Sequence, residues 1–381
     1  MRTLHIVHLV WRLGVGGLEE MLVDIANEQS RRARVWIIVI NNPVDPTVVA
    51  RVLPSVTLFF LHRKEGSRAI GAILHLNWLL RRIRPDIVHA HHWNHGKLLL
   101  NAPGQPVLTV HTTREARDFD PSIRRYRRVF AISRAVLDDI RAYWPDLQSL
   151  VVHNGVTCSD ILSERTRRDD VFRIVQVARL EHHHKGQDIL LRALARVRRD
   201  PEASHIRLDL IGTGESRGYL ETLARDLGLE GIVSFRGTVQ RTRLYQELCE
   251  YDLLVQPSRW EGFGLVVVEG MAAGVPVLVS DTEGPSEIVD RGRFGFLFRP
   301  EDDADCARQI LRIHKMRGMA ALAQLILTAR ARATEKFDVT VTAGEYLRHY
   351  ADLLGYGRNQ VEERLPSPLV PTEAPKTRVP S

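Results

Sequence analysis

The stretch WEGFGLVVVEGMAAGVPVLVSD, residues 260–281, puts two carboxylates where they should not be tolerated. Glu261 stands beside glycines, and Glu269 lies in a run of valines, alanines and glycines that otherwise reads as buried. A buried carboxylate without a partner is costly or stays protonated, so each acid must face something. The surrounding pattern supplies a frame. DLLVQP, ending at Pro257, reads as a strand, SRWEGFG as a loop and VPVLVSD as the next strand. Between them a helix should begin near Gly264 or Leu265 and run to Ala273, stopped by Gly274 and Pro276. Glu261 then precedes a helix N-terminus, and Glu269 lies four residues past Leu265, only ~6 Å further along the axis. Both acids can approach one elongated ligand. Vicinal hydroxyls, which sugars offer, would keep such carboxylates ionised. An arginine partner for Glu269 is the structural alternative.

The same strand–loop–helix unit repeats along the chain, as in doubly wound α/β domains. LHIVHLV, VWIIVI, VTLFFL, DIVHAHH, PVLTVH, RVFAIS and SLVVHNG form one series of strands, with the helix AIGAILHLNWLLRRIR among them. FRIVQVAR opens a second series, followed by IRLDLIG, IVSFRG and DLLVQP. The expected fold is therefore α/β, with two Rossmann-like domains facing across a cleft, residues 1–160 and 171–335. Residues 336–355 read as a helix returning to the first domain, and 356–381, with five prolines, as a disordered tail.

The 381 residues are 44% hydrophobic and 26% charged, which suits two ordinary soluble domains. No apolar run approaches the length of a membrane span and the N-terminus lacks a signal-peptide pattern, so a cytoplasmic location is expected. Cys158, Cys249 and Cys306, far apart and odd in number, suggest reduced thiols. The net charge of +7 is uneven: residues 1–160 hold 21 Lys and Arg against 14 Asp and Glu, and the remainder 32 of each. RRAR at 31–34, RRIR at 81–84 and SIRRYRRVF at 122–130 concentrate the excess. They read as solvated helix faces or, more sharply, as attraction to a polyanionic acceptor or to an anionic membrane surface at the inner face of the cytoplasmic membrane. No nucleic-acid motif accompanies them.

Ligands of open α/β sheets bind beyond the carboxyl ends of the strands, so the loops there carry the candidates. RLGVGGLEE fails as a dinucleotide fingerprint because Glu19 stands where glycine is needed, and GTGESR fails at Arg217. What remains of the first is a glycine turn, Gly16–Gly17, opening a helix. In VARLEHHHKGQD, Arg179 and Lys185 share a strand-to-helix connection, with Gly186 at the helix start; two fixed cations there suit a diphosphate without metal. His182, His183 and His184 read as a solvated loop rather than a metal site, since consecutive residues rarely point at one ion. In HAHHWNHG, His89, His91, His92 and His95 invite a zinc reading, against which strand alternation should separate their directions. His111, at a strand end in TVHTTREA, suits a sugar or phosphate contact or a structural role.

These residues resemble a known family. Glu261-x7-Glu269 in EGFGLVVVEGMAAGVPVL is similar to the E-x7-E signature of retaining glycosyltransferases of the GT-B fold, family four. GGLEEML, PDIVHAH, FAISRAV, VHNGV, VARLEHHHKGQDILLRAL, LIGTGE and GTVQRTRLY extend the resemblance to about residue 354. The resemblance implies an acceptor-binding first domain and a second domain that binds a nucleoside-diphosphate sugar. It implies that Arg179 and Lys185 hold the donor diphosphate and that Glu269 grips the ribose. Glu261 would hold the donor sugar, with the backbone of Phe263, Gly264 and Leu265. His111 would touch the sugar near its reacting carbon and Val239 would meet the nucleobase, with Gly214 at the donor site too. Gly16 and Gly17 would give backbone contacts to phosphate or acceptor. One departure is EGPSEIV at 283–289, where many members carry a glycine pair; Glu283 is expected to point away from the phosphates.

The implied activity is hexosyl transfer with retention, without metal or other cofactor. UDP is the leading nucleotide, and the acceptor is a glycan or lipid-linked hydroxyl in lipopolysaccharide, capsule or exopolysaccharide synthesis. The rivals are a non-catalytic scaffold of the same fold and a nucleotide-sugar epimerase or phosphorylase.

Overall fold

The computed structural model describes residues 3–42, 44–67, 70–167, 169–203 and 205–356. The first series of strands comprises β1 (His5–Val10), β2 (Arg34–Asn41), β3 (Val56–Arg63), β4 (Ile87–Ala90), β5 (Gln105–Val110), β6 (Arg128–Ala131) and β7 (Ser149–Val151). They form one sheet in the order β3-β2-β1-β4-β5-β6-β7. The second series comprises β8 (Phe172–Val177), β9 (Ile206–Ile211), β10 (Val233–Gly237), β11 (Leu253–Gln256), β12 (Val277–Ser280) and β13 (Phe296–Phe298), in the order β10-β9-β8-β11-β12-β13. The registered pairs of both sheets are parallel. In each sheet the order reverses beside the first strand of the series, between β1 and β4 and between β8 and β11. Those two crevices are where doubly wound sheets take their ligands. The short sixth strand of the second sheet, β13, lies in a segment whose sequence did not announce it.

The chain forms two compact units. The first holds residues up to 109, 119–129 and those from 343 onward; the second holds 110–118 and 130–342. Parallel strands covered on both faces need continuous apolar runs rather than alternation. In the first unit Val7, Leu9, Ile38 and Val88 pack with Leu76, Leu79 and Leu80 of the helix Gly71–Ile83. In the second, Ile174, Leu208, Leu210, Leu253, Val255 and Leu278 pack with Ile189, Leu190 and Leu194 of the helix Gln187–Val197.

Residues 303–353 are helical, as Asp303–Lys315, Ala320–Phe337 and Val339–Leu353. The last helix returns to the first sheet. Tyr346 Oη lies 3.0 Å from Thr109 Oγ1 and Tyr350 Oη 2.6 Å from His89 Nδ1, all four residues buried. The proline-rich segment expected to be disordered lies, from residue 357 on, outside the described residues.

The histidines expected to diverge do not all do so. His89 and His91 are two residues apart on one side of β4 and its extension, and His8 of β1 joins them. His8 Nδ1 lies 3.0 Å from His91 Nε2, His8 Nε2 2.8 Å from Gln29 Oε1, and His89 Nε2 2.7 Å from Thr109 Oγ1. These bonds suit neutral imidazoles tying strands, helix and C-terminal helix together. His92 and His95 turn instead towards Trp11, with ring centroids at 6.0 and 4.6 Å. Burial depresses the His8 imidazole to about 4, outweighing the Gln29 bond that raises it. The unfolded chain therefore binds a proton between about pH 6.5 and 4 that the folded chain rejects, and stability declines as pH falls through that window. The His8 share reaches on the order of 3 kcal/mol at its foot. Thermal unfolding compared at pH 7 and 4.5 should show a smaller loss for His8→Gln than for the parent chain; equal losses would remove His8 as a source.

Candidate functional site

The β8/β11 crevice of the second unit gathers most of the singled-out residues. Strand β11 ends at Gln256, and the loop behind it carries Ser258 and Glu261. The connection after β8 is not the open loop expected of the three histidines. Residues His182–Lys185 form one helical turn, followed by Gly186 in the left-handed region (φ 66°) at the start of Gln187–Val197. The imidazoles are engaged: His182 Nδ1 lies 2.8 Å from Ser216 Oγ, and the His184 ring stacks on Trp260 at 4.7 Å. Arg259 braces the turn from the β11 side with two bonds to Asp188, 2.9 and 3.0 Å, and one to the His182 carbonyl, 2.6 Å. Burial raises the Asp188 carboxyl, but Arg259 holds it below the ordinary carboxylate range.

This bracing sets Lys185 on Glu261. Lys185 Nζ lies 2.6 Å from Glu261 Oε2, with only 17% and 16% of the two side chains exposed. Gln256 Nε2 and Ser258 Oγ donate to the same oxygen, each at 3.2 Å. Arg179 stands on the same connection, its side chain 70% exposed and 3.9 Å from Glu181. Gly214, from the loop after β9, passes so close beneath Leu180 that a Cβ would lie 2.3 Å from its carbonyl oxygen.

The helix begins as expected, at Leu265–Ala272, with Gly264 (φ 104°) ahead of it in a conformation that favours glycine. Gly262 permits a close approach: a Cβ there would meet the His111 carbonyl oxygen at 2.9 Å and Thr112 Cα at 3.1 Å. His111 is thus brought beside the Glu261 loop. Phe263 is buried against His153 and Phe337, at 6.1 and 5.7 Å between ring centroids. Glu269, half-buried, accepts a 2.9 Å hydrogen bond from Tyr245 Oη. Burial, together with the Glu269 charge, drives the Tyr245 phenol well above its usual range. The Arg241 guanidinium lies over the same ring at 4.8 Å. Val239 is half-buried between β10 and the helix Arg241–Glu247. Glu283 is exposed in the first turn of the helix Glu283–Ile288.

Tyr245, Gln256, Ser258, Arg259 and Asp188 were not singled out from the sequence. Nor was Glu287, which accepts from the Arg134 N–H at 2.8 Å and meets His153 Nε2 at 2.7 Å. Burial raises Glu287, but His153 and the Arg134 N–H hold it below the ordinary range. In the loop after β5, burial pushes Glu115 up to about 7, reinforced by Asp139 and Asp118.

Gly16 and Gly17 belong to the first unit. Gly16 has an extended φ of −177° and Gly17 opens the helix Gly17–Ser30. Glu19 and Glu20 in that first turn pair with Arg12 at 3.5 Å and Arg51 at 2.9 Å, so acidic charge already complements the helix start. The neighbouring cleft, about 480 Å³, is lined by Trp11, Arg12, Asn41, Arg63, His92 and Asn94 among others. Among the described residues, His8, His89 and His91 form the one cluster of three with metal-ligand spacing, and it belongs to the first unit.

Comparison with known proteins agrees with this architecture. Residues 160–332 match Glycosyl transferases group 1, and residues 15–160 match Glycosyltransferase Family 4. Glycogen synthase of Mycobacterium tuberculosis is 30% identical over 314 residues, spanning 75% of this chain and 73% of that protein. A Rickettsia africae glycosyltransferase structure superposes with a TM-score of 0.77 at 16% identity, covering 94% of this chain and 100% of that one. Anabaena HepE in complex with UDP and glucose gives 0.74 at 23% identity, covering 92% and 99%. With its two Rossmann-like sheets and both halves matched, the chain belongs to the group 1 glycosyltransferases of the GT-B class.

Proposed function

We propose that the second unit binds a nucleoside-diphosphate sugar, and that the protein transfers the sugar, with retention, to a hydroxyl of a glycan or lipid-linked acceptor. The Lys185–Glu261 contact in the β8/β11 crevice carries this reading. A cation and an acid held together beyond the strand ends match the two ends of a sugar diphosphate. On donor binding, Lys185 turns to the diphosphate, and sugar hydroxyls take its place on Glu261 beside Gln256 and Ser258. As the anomeric C–O bond breaks, its electron pair leaves with the diphosphate. Lys185, Arg179 and the N–H groups at 264–266 stand where that charge grows. The acceptor oxygen forms the new bond on the same face and gives its proton to the departing phosphate.

The favoured donor is a UDP-sugar, with Glu269 on the ribose, Val239 and Gly214 near the nucleoside, and His111 near the reacting carbon. Fixed cations fill the role of a divalent metal. Assembly of a surface polysaccharide such as lipopolysaccharide, capsule or exopolysaccharide would suit the basic first half of the sequence. A panel of UDP-, GDP- and ADP-sugars, scored by thermal shift and slow donor hydrolysis, tests the reading without an acceptor. UDP-sugars should bind and hydrolyse equally with and without EDTA. Strict metal dependence would refute the role given to the two cations. Binding without any turnover would favour the scaffold reading.

A further inference from the structure

The helix Gly71–Ile83 packs through one side only. Leu76, Asn77, Leu79 and Leu80 are buried beneath it. The outer side shows Ile70, Leu74 and Trp78, exposed by 68%, 57% and 52%, at four-residue intervals that place them in one line. Arg81 and Arg82 continue that line, both exposed, and the Arg82 guanidinium lies 5.5 Å over the Trp78 ring. Leu100, 45% exposed, borders it, its carbonyl accepting from Arg81 at 3.3 Å. Residues 70–84 contain no aspartate or glutamate. Scattered exposed apolar side chains need no explanation, but three large ones in a row ending in arginines do.

We propose that this face docks on an anionic lipid surface, with Ile70, Leu74 and Trp78 among the upper acyl segments and Arg81 and Arg82 on lipid phosphates. Charge selects this occupant. A second copy of the face would offer the arginines no carboxylate, whereas an anionic bilayer offers a continuous sheet of phosphates. An indole beside a guanidinium is also suited to the boundary between headgroup and hydrocarbon. Among the described residues no helix is long and apolar enough to cross a membrane, so the contact is peripheral.

The SIRRYRRVF run, though richer in arginines, presents no such exposed apolar line. There Ile123 and Tyr126 are buried, Arg125 donates to the Gly96 and Leu99 carbonyls at 2.9 and 3.1 Å, and Arg128 pairs with Asp352 at 3.0 Å.

Sedimentation of the full chain with vesicles tests the proposal independently of the donor site. Phosphatidylcholine vesicles containing phosphatidylglycerol should bind the chain, less so at high salt, and phosphatidylcholine alone should not. Two double variants, Leu74→Ser with Trp78→Ser and Arg81→Glu with Arg82→Glu, should each weaken binding about tenfold or more. Both should keep the parent unfolding temperature. Equal binding to neutral vesicles, or parent-like binding by both variants, would overturn the proposal. So would a dimer that Trp78→Ser dissociates without any vesicle binding, which would give the face to a second copy.

Discussion

Lys185→Met should lower sugar transfer by roughly 10²–10³-fold, the scale on which removal of a group aimed at developing charge acts. It should also lower stability, because it strands Glu261. The pair is mostly but not fully buried, 17% and 16% exposed. The loss should therefore fall short of a fully buried pair, at about 1–3 kcal/mol, with solvent and the Gln256 and Ser258 donors absorbing part of it. Glu261→Gln separates the two contributions. The amide oxygen can still accept from Gln256 and Ser258, so nucleotide binding should survive while transfer falls. Combining the substitutions removes both charges at once. The double variant should regain most of the lost stability and none of the activity. Urea unfolding and single-turnover transfer on the four chains measure the cycle. If stability follows this pattern while transfer by Lys185→Met stays within a few-fold of the parent, the pair is a structural tie and the reading of the crevice fails.

The parts of this molecule that could be read from its sequence are those governed by local rules. Runs such as VWIIVI, and Leu253–Val255 within DLLVQP, declare buried parallel strands because they are continuously apolar. Gly264 and Gly274 bracket a helix because glycine is what those positions need, and the observed Leu265–Ala272 differs from expectation by one residue. The partners of the two acids were hidden because they lie far off in sequence. Lys185 is 76 residues from Glu261, and Tyr245 is 24 residues from Glu269 on a different helix. No spacing rule joins such pairs; only the strand order, which sets β8 beside β11, does. The histidines failed for a related reason. Alternation along β4 correctly sets His92 apart from His91, but the third member of the cluster comes from β1. The basic runs show the limit of counting charge: SIRRYRRVF holds more arginines than RRIR, yet among its four Arg125 is engaged with the Gly96 and Leu99 carbonyls and Arg128 with Asp352.

Glu269→Ala should weaken binding of the free nucleotide by roughly 10–100-fold, the loss of one or two hydrogen bonds to a charged group. The prediction is specific because Glu269 lies about one turn, ~6 Å, along the helix from its start at Leu265, where the diphosphate is proposed to sit. Inorganic pyrophosphate should compete for the crevice with unchanged affinity in this variant, while UDP loses its advantage over it. Tyr245→Phe probes how the acid is held. Its hydroxyl donates to Glu269 at 2.9 Å, from a buried ring to a half-buried carboxylate whose orientation the bond helps to fix. Removing the hydroxyl leaves the acid in place with one fewer bond to orient it. KM for the donor should therefore rise by about 3–10-fold with kcat nearly constant, the signature of lost uniform binding. Tyr245 thereby acts as a positioning residue, and isothermal titration with UDP and pyrophosphate on both variants distinguishes it from a packing role. Should UDP bind both variants as tightly as the parent while the unfolding temperature falls, the Tyr245–Glu269 contact closes the core and the ribose must be held elsewhere.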